Sequence, residues 1–229
     1  MTLREYLSRA GLAAPATLVL VAACAAGPGT ALRTLPEPQL TGPAAGIAQA
    51  HADSLRYPYT PADIRFMSGM ISHHAQAIVM ATWAPGHGAN AEVQRLCERI
   101  ANAQGDEIAM MQRWLADRRQ PVPEPNPKGM LMKMDGMEHV MSMPGMLTEV
   151  QMAALDAARG MEFDRLFLTF MIQHHRGAIT MVQELFTAYG AGQDETIFKF
   201  ANDVNVDQAT EITRMVQMLL QLGGPAGPS

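Results

Sequence analysis

Apolar residues recur every three or four positions through four long stretches of this chain, which is the period of helices with one buried face. The pattern predicts helices over about 61–83, 91–118, 162–189 and 195–222. A shorter helix is predicted to begin at Thr148. No stretch sustains a two-residue alternation of apolar and polar positions, so no strand is predicted. The predicted fold class is all-α.

Two of these helices carry the same phrase about one hundred residues apart. Polar and sulfur-containing positions recur in it at identical spacing: Asp63 and Asp164, Met70 and Met171, His73-His74 and His174-His175, and Met80 and Met181. The helix that follows each copy repeats as well: Gln104, Glu107, Ile108 and Met111 match Gln208, Glu211, Ile212 and Met215. The chain is therefore built from two copies of one helical hairpin.

Two hairpins with one apolar face each bury those faces most simply against each other, as a four-helix bundle. We place the bundle at 55–222, with repeat one at 60–119 and repeat two at 160–222. A linker at 120–147 joins the repeats, and its proline-rich start, 121–127, cannot be helical. One core suits a domain of this length.

The paired histidines are the strongest sign of chemistry. Helical geometry puts His73 and His174 on the buried stripe, and His74 and His175 near its edge. A single buried histidine is usually a hydrogen-bonded core residue, but four in matched pairs favour a metal site. Flanking thioethers select Cu(I), or Ag(I) by analogy of softness.

The predicted ligands in the two repeats are Met70, His73, His74 and Met80, then Met171, His174, His175 and Met181. No Glu stands three residues before a histidine of these pairs, which argues against a ferritin-type di-iron centre. Cys97 lies in a predicted helix, where it is expected to be a small core residue.

The linker ends in a methionine-rich segment, 128–147, that is a second candidate site. Its proposed ligands are Met137, His139, Met141, Met143 and Met146. The segment could instead be an adaptable apolar flap over the bundle, or a sink for oxidants. Soft-metal binding is the preferred interpretation, because His139 stands among the thioethers.

The amino-terminal residues predict export from the cytoplasm. Residues 1–23 combine two arginines with a short apolar run, as a signal peptide does, and the run leads into Cys24. That junction resembles the cleavage box of bacterial lipoproteins, in which the cysteine is lipidated; an ordinary signal with an incidental cysteine is the alternative. Residues 24–54 would form a flexible tether.

Loss of residues 1–23, with two bases and one acid, changes the formal net charge from −5 to −6, which argues against nucleic acid as a partner.

The paired Met-Ile-x-His-His phrases and the Met143-Pro-Gly-Met146 motif resemble the secreted bacterial family known as domain of unknown function 305. The resemblance implies a ferritin-like four-helix bundle without a ferroxidase centre, and it implies copper binding in some members. One departure from the repeat is Leu168, where the first copy has Met67.

The predicted function is extracytoplasmic Cu(I) binding, for buffering or for transfer to a partner protein, without catalysis. A redox-active copper enzyme such as a cuprous oxidase and a purely structural bundle are the alternatives. A lipid anchor would be the only membrane contact, and self-association is left open.

Overall fold

The computed structural model describes Gly42, residues 59–134 and residues 136–223. The predicted signal peptide, Cys24 and all of the predicted tether except Gly42 lie outside the described residues. Within the described part of the chain, no helix combines the length and apolar character needed to cross a membrane.

The described chain is mainly helical. The helices are α1 (Pro61–Thr82), α2 (Ala91–Asp117), α3 (Glu149–Ala157), α4 (Gly160–Thr187) and α5 (Glu195–Gln221). The predicted all-α class and the five predicted helices are confirmed. The prediction of no strands is wrong, because β1 (Met130–Met134) and β2 (Met137–Met141) form an antiparallel hairpin between the two halves.

Polar caps set where three of the four long helices begin, α4 being the exception. Thr60 and Asp63 form a reciprocal capping box at the start of α1, where Pro61 occupies the first helical position. Asn90 accepts hydrogen bonds from two backbone amides at the start of α2, and Asp194 does the same for α5. These caps explain why the boundaries could be predicted closely.

The two helical hairpins, α1–α2 and α4–α5, pack together with α1 against α4. Their buried side chains form two clusters, and each long helix contributes to both. The first cluster includes Ala81, Leu96, Phe167 and Met215. The second includes Phe66, Met111, Leu185 and Phe200. The ferritin-like assignment stays a prediction from the resemblance.

The repeated aspartates connect the two hairpins. Asp63 on α1 accepts a hydrogen bond of 2.8 Å from the backbone amide of Gly192, in the loop between α4 and α5. Asp164 on α4 accepts hydrogen bonds from the backbone amide and the side chain of Asn90, at the start of α2. Each half therefore supplies an acid that holds the interhelical connection of the other half.

The β-hairpin explains part of the methionine spacing. Pairing sets Met130 opposite Met141 and Met132 opposite His139. Directly opposed residues of an antiparallel pair share one face of the sheet, so one face of this hairpin carries thioethers and the imidazole. The hairpin was missed because its strands show no alternation of apolar and polar residues. Methionines alternate there with other residues, and some of those, such as Leu131 and Val140, are also apolar.

Candidate metal centre

The four paired histidines form a layer inside the bundle. His73, His74, His174 and His175 are each 0 % exposed. His74 and His175, expected near the edge of the buried face, are therefore as fully buried as the inner pair. The partner helix, α2 or α5, covers that edge, and it does so with a polar side chain.

A glutamate from that neighbouring helix contacts each outer histidine. His74 Nε2 lies 2.7 Å from Glu107 Oε2, and His175 Nε2 lies 2.6 Å from Glu211 Oε2. A carboxylate accepts hydrogen bonds, so Nε2 of each imidazole is the donor, and Nδ1 is the ring nitrogen left without a partner among the described residues. Both glutamates stand in the repeated phrase of the second helices, but no site role was predicted for them. Their recurrence could have indicated a role, because a charged residue at the same position of both repeats is not needed for apolar packing.

The inner histidines, His73 and His174, lie against each other. Their ring centroids are 3.7 Å apart, and the ring planes are inclined by 35°. Burial is the main cause that lowers the pKa of each well below its usual value, and neighbouring imidazoles lower both further. Both rings are therefore neutral near pH 7, which is the state in which imidazole can bind a metal.

The layer contains several buried nitrogen atoms without a hydrogen-bond partner among the described residues. These are Nδ1 of all four histidines and Nε2 of His174. His73 Nε2 is satisfied, at 3.1 Å from the carbonyl oxygen of Pro144. An unpaired buried nitrogen costs free energy that a metal ion or a water molecule would recover.

A thioether-lined pocket lies beside this layer, between α1, α4 and the methionine-rich segment. Its volume is about 310 Å³, and four methionines line it: Met130, Met141, Met143 and Met181. The pocket is mainly apolar, and two exposed charged residues, Arg65 and Glu184, also line it. Met130 was not among the predicted ligands, although it belongs to the same segment.

Two glycines allow the methionine-rich segment to approach the helices closely. A Cβ at Gly69 on α1 would stand 2.8 Å from Met143 Sδ and 3.4 Å from Met181 Cε. A Cβ at Gly177 on α4 would stand 2.6 Å from the Cα of Gly145 and would also overlap the carbonyl group of Pro144. The chain from Met143 to Gly145 therefore lies directly on the bundle, next to His73.

The other predicted methionine ligands lie elsewhere. Met80 and Met171 are packed in the first cluster, and Met70 is packed in the second. Met146 is buried, and its sulfur accepts a hydrogen bond from the backbone amide of Met143. Met137 and His139 lie exposed on the β-hairpin. The pocket thus brings Met141, Met143 and Met181 together. The remaining predicted thioethers do not line it, although Met70 shares a cluster with Met181 and Met146 contacts Met143.

Histidine, cysteine and acidic side chains alone do not form a ready metal site in the described residues, where no three of them converge. Cys97 is buried in the first cluster, as expected for a core residue. Burial and nearby Asp164 raise the pKa of its thiol to about 12, so the thiolate that binds metals is strongly disfavoured. Thioethers and imidazoles are the donors that remain.

Residues 63–219 match the family model of the domain of unknown function DUF305. The protein belongs to this family, and the predicted resemblance is confirmed. No curated protein matches the chain.

Among solved structures, a DUF305 protein of Streptomyces coelicolor, predicted to be secreted, is 28% identical with a TM-score of 0.61. The match covers 73% of this chain and 98% of that one. A DUF305 fragment from Deinococcus radiodurans is 27% identical with a TM-score of 0.58, over 72% of this chain and 98% of the fragment.

The protein CopM in its Cu(I)-bound form is 27% identical, with a TM-score of 0.54, over 73% of this chain and 100% of CopM. CopM has also been solved with Cu(II) and with silver. The relatives therefore include a protein that binds both soft ions considered for this chain.

Proposed function

We propose that this protein binds Cu(I) outside the cytoplasm and buffers the ion or passes it on, without catalysing a reaction. The observation that carries the proposal is the pocket lined by Met130, Met141, Met143 and Met181. Uncharged thioether donors in an apolar setting favour a soft monovalent ion over the harder divalent ions. The similarity to CopM, solved in Cu(I)- and silver-bound forms, supports the same ion class.

The imidazole layer supports this role by its position. The chain runs from Met143 in the pocket directly to Pro144, whose carbonyl oxygen holds His73. Nδ1 of His74 and Nδ1 of His175 have no hydrogen-bond partner among the described residues. The protein thus has sulfur donors near its surface and nitrogen donors inside, an arrangement that suits capture followed by retention.

The location outside the cytoplasm is part of the proposal. It is supported by the predicted signal peptide, residues 1–23, and by the similarity to the Streptomyces coelicolor protein. Lipidation at Cys24 would hold the bundle at a membrane surface through the tether. Labelling with a radioactive fatty acid should then mark the wild-type protein and leave Cys24→Ala unlabelled.

Competition against a chromophoric Cu(I) chelator tests the binding site. The variant Met143→Leu/Met181→Leu removes two thioethers and nearly conserves side-chain volume, so the fold should be kept. We expect its Cu(I) affinity to fall at least tenfold. The matched control is Met161→Leu/Met218→Leu, because Met161 is exposed and Met218 is packed in the first cluster. Equal affinity in all three proteins would refute the thioether site.

The imidazole layer also supports a second candidate function, a redox-active copper site. The layer offers imidazole nitrogens and, from Glu107 and Glu211, carboxylate oxygens, which are donor types that suit Cu(II) as well as Cu(I). Oxygen consumption by the Cu(I)-loaded protein distinguishes the two functions. A binding protein should reach a fixed end point after at most one oxidation per bound ion, whereas an oxidase would continue to turn over while Cu(I) is supplied.

A further inference from the structure

A second cleft, of about 160 Å³, lies between α2 and α5. Only these two helices line it, whereas α1, α4 and the methionine-rich segment line the thioether pocket. Its polar lining residues are Gln104, Glu107, Asp207, Gln208, Thr210 and Glu211. The cleft is therefore rich in oxygen donors and contains no sulfur.

The negative charge of the cleft is not neutralised by any basic residue in its lining. Three carboxylates line it, and no lysine or arginine does. Burial raises the pKa of Asp207, and the charges of Glu107, Asp203 and Glu211 raise it further, whereas Lys199 lowers it. Lys199 is itself paired with Asp203, one turn away from Asp207 on α5.

Two buried amide groups provide an independent sign of a ligand. Gln104 and Gln208 occupy equivalent repeat positions, are 3 % and 5 % exposed, and line the cleft from opposite helices. The Oε1 atom of each is buried without a hydrogen-bond partner in the described part of the chain. A buried carbonyl oxygen without a partner costs free energy, and a hydrated cation in the cleft would offer these oxygens a partner.

We propose that this cleft binds one hydrated divalent cation of the oxygen-preferring class, such as Mg²⁺ or Mn²⁺. Carboxylate and amide oxygens are the ligands that such hard cations prefer. No three acidic or histidine side chains converge in the described residues, so the ion keeps several of its water molecules, as Mg²⁺ usually does.

This cation would also affect the imidazole layer. Glu107 and Glu211 line the cleft and contact His74 and His175 through Oε2. A cation near the two glutamates would hold their side chains in place and so fix the orientation of both imidazoles. The hard-cation cleft and the candidate copper centre are thus joined through two glutamate–histidine pairs.

Binding of Mn²⁺ to the copper-free full chain tests the proposal. Free Mn²⁺ in water has a sharp paramagnetic resonance signal that bound ion loses, so a titration gives both stoichiometry and affinity. We expect one ion per chain, displaced by excess Mg²⁺. Asp207→Asn should weaken binding at least tenfold. Asp203→Asn is the control, because it removes the same charge from the same helix outside the lining, and it should change affinity less than threefold.

The amide oxygens need a test of their own. Gln104→Leu/Gln208→Leu should also weaken Mn²⁺ binding at least tenfold, and circular dichroism checks that the helices remain. Absence of Mn²⁺ binding to the wild type at millimolar concentration would overturn the proposal. Equal binding by Asp207→Asn and by the wild type would overturn it as well. Met143→Leu/Met181→Leu should bind Mn²⁺ normally, so this test does not depend on the Cu(I) proposal.

Discussion

At Gly177, the addition of a single methyl group should weaken Cu(I) binding while changing the free energy of unfolding little. It lies in α4, under the chain from Met143 to Gly145. In Gly177→Ala the new Cβ would stand 2.5 Å from the carbonyl carbon of Pro144 and 2.6 Å from the Cα of Gly145. Both are backbone atoms, so no side-chain rotation can relieve the overlap. The methionine-rich segment must move away from the helix.

The size of the effect follows from two opposing terms. Overpacking of this kind costs about 1–3 kcal/mol. Replacing a helical glycine with alanine returns about 1 kcal/mol. The net loss in the free energy of unfolding should therefore be small, between about 0 and 2 kcal/mol. Cu(I) binding needs the segment in place. The part of the overlap energy that the metal-free protein avoids by moving the segment away therefore opposes binding, which corresponds to a Kd up to about 150-fold higher.

Two measurements on Gly177→Ala check this reasoning: urea unfolding and Cu(I) competition. The matched control is Gly105→Ala on α2, where a Cβ would meet nothing within 4 Å. It should gain up to about 1 kcal/mol of stability and keep its Cu(I) affinity. Wild-type Cu(I) affinity in Gly177→Ala would refute the claim that the position of Met143 determines binding.

Three further predictions concern buried polar groups. Because the pKa values of His73 and His174 are lowered in the folded state, the unfolded chain takes up more protons as pH falls below about 6.5. In urea unfolding, the free energy of unfolding should fall by at most about 2–3 kcal/mol between pH 7 and 5.5 because of this pair, and by less in His73→Gln/His174→Gln. Asp164→Ala should cost about 1–3 kcal/mol, since Asn90 loses its acceptor, whereas Asp164→Asn should cost less. Cys97 should react with a thiol reagent at least a hundredfold more slowly in the folded than in the unfolded protein, and Cys97→Ala should keep its Cu(I) affinity.

The helices could be predicted because local chemistry determines their ends and one apolar face determines their packing. Thr60, Asn90 and Asp194 cap helices through contacts within three residues in sequence, so the sequence pattern contains the information.

The β-hairpin was missed for a physical reason. Methionine and leucine are both apolar, so Met130-Leu131-Met132 shows no hydrophobic alternation even though the methionines alternate.

The site could be predicted only in part, because its contacts join residues distant in sequence. The pairing of His74 with Glu107 depends on the rotation of α2 about its axis, which apolar periodicity fixes only within a broad arc. The position of Met143 depends on glycines more than thirty residues away on α4 and seventy residues away on α1. Repetition identified the candidate residues, but packing decided which of them meet.

The number of Cu(I) ions per chain shows whether the two repeats act as one site or as two. Met80 and Met181 are equivalent in the two repeats, yet Met80 is packed in the first cluster and Met181 lines the thioether pocket. The difference arises because the chain has two helical hairpins but only one methionine-rich segment, which covers the side of Met181. Another asymmetric pair, Met67 and Leu168, is fully buried on both sides and contributes nothing to the pocket. We therefore expect one tight Cu(I) ion per chain. A titration against a chromophoric chelator should show a single strong equivalent that Met181→Leu weakens and Met80→Leu does not. Two equal strong equivalents, or equal effects of the two substitutions, would mean that the repeats act as a symmetric pair of sites.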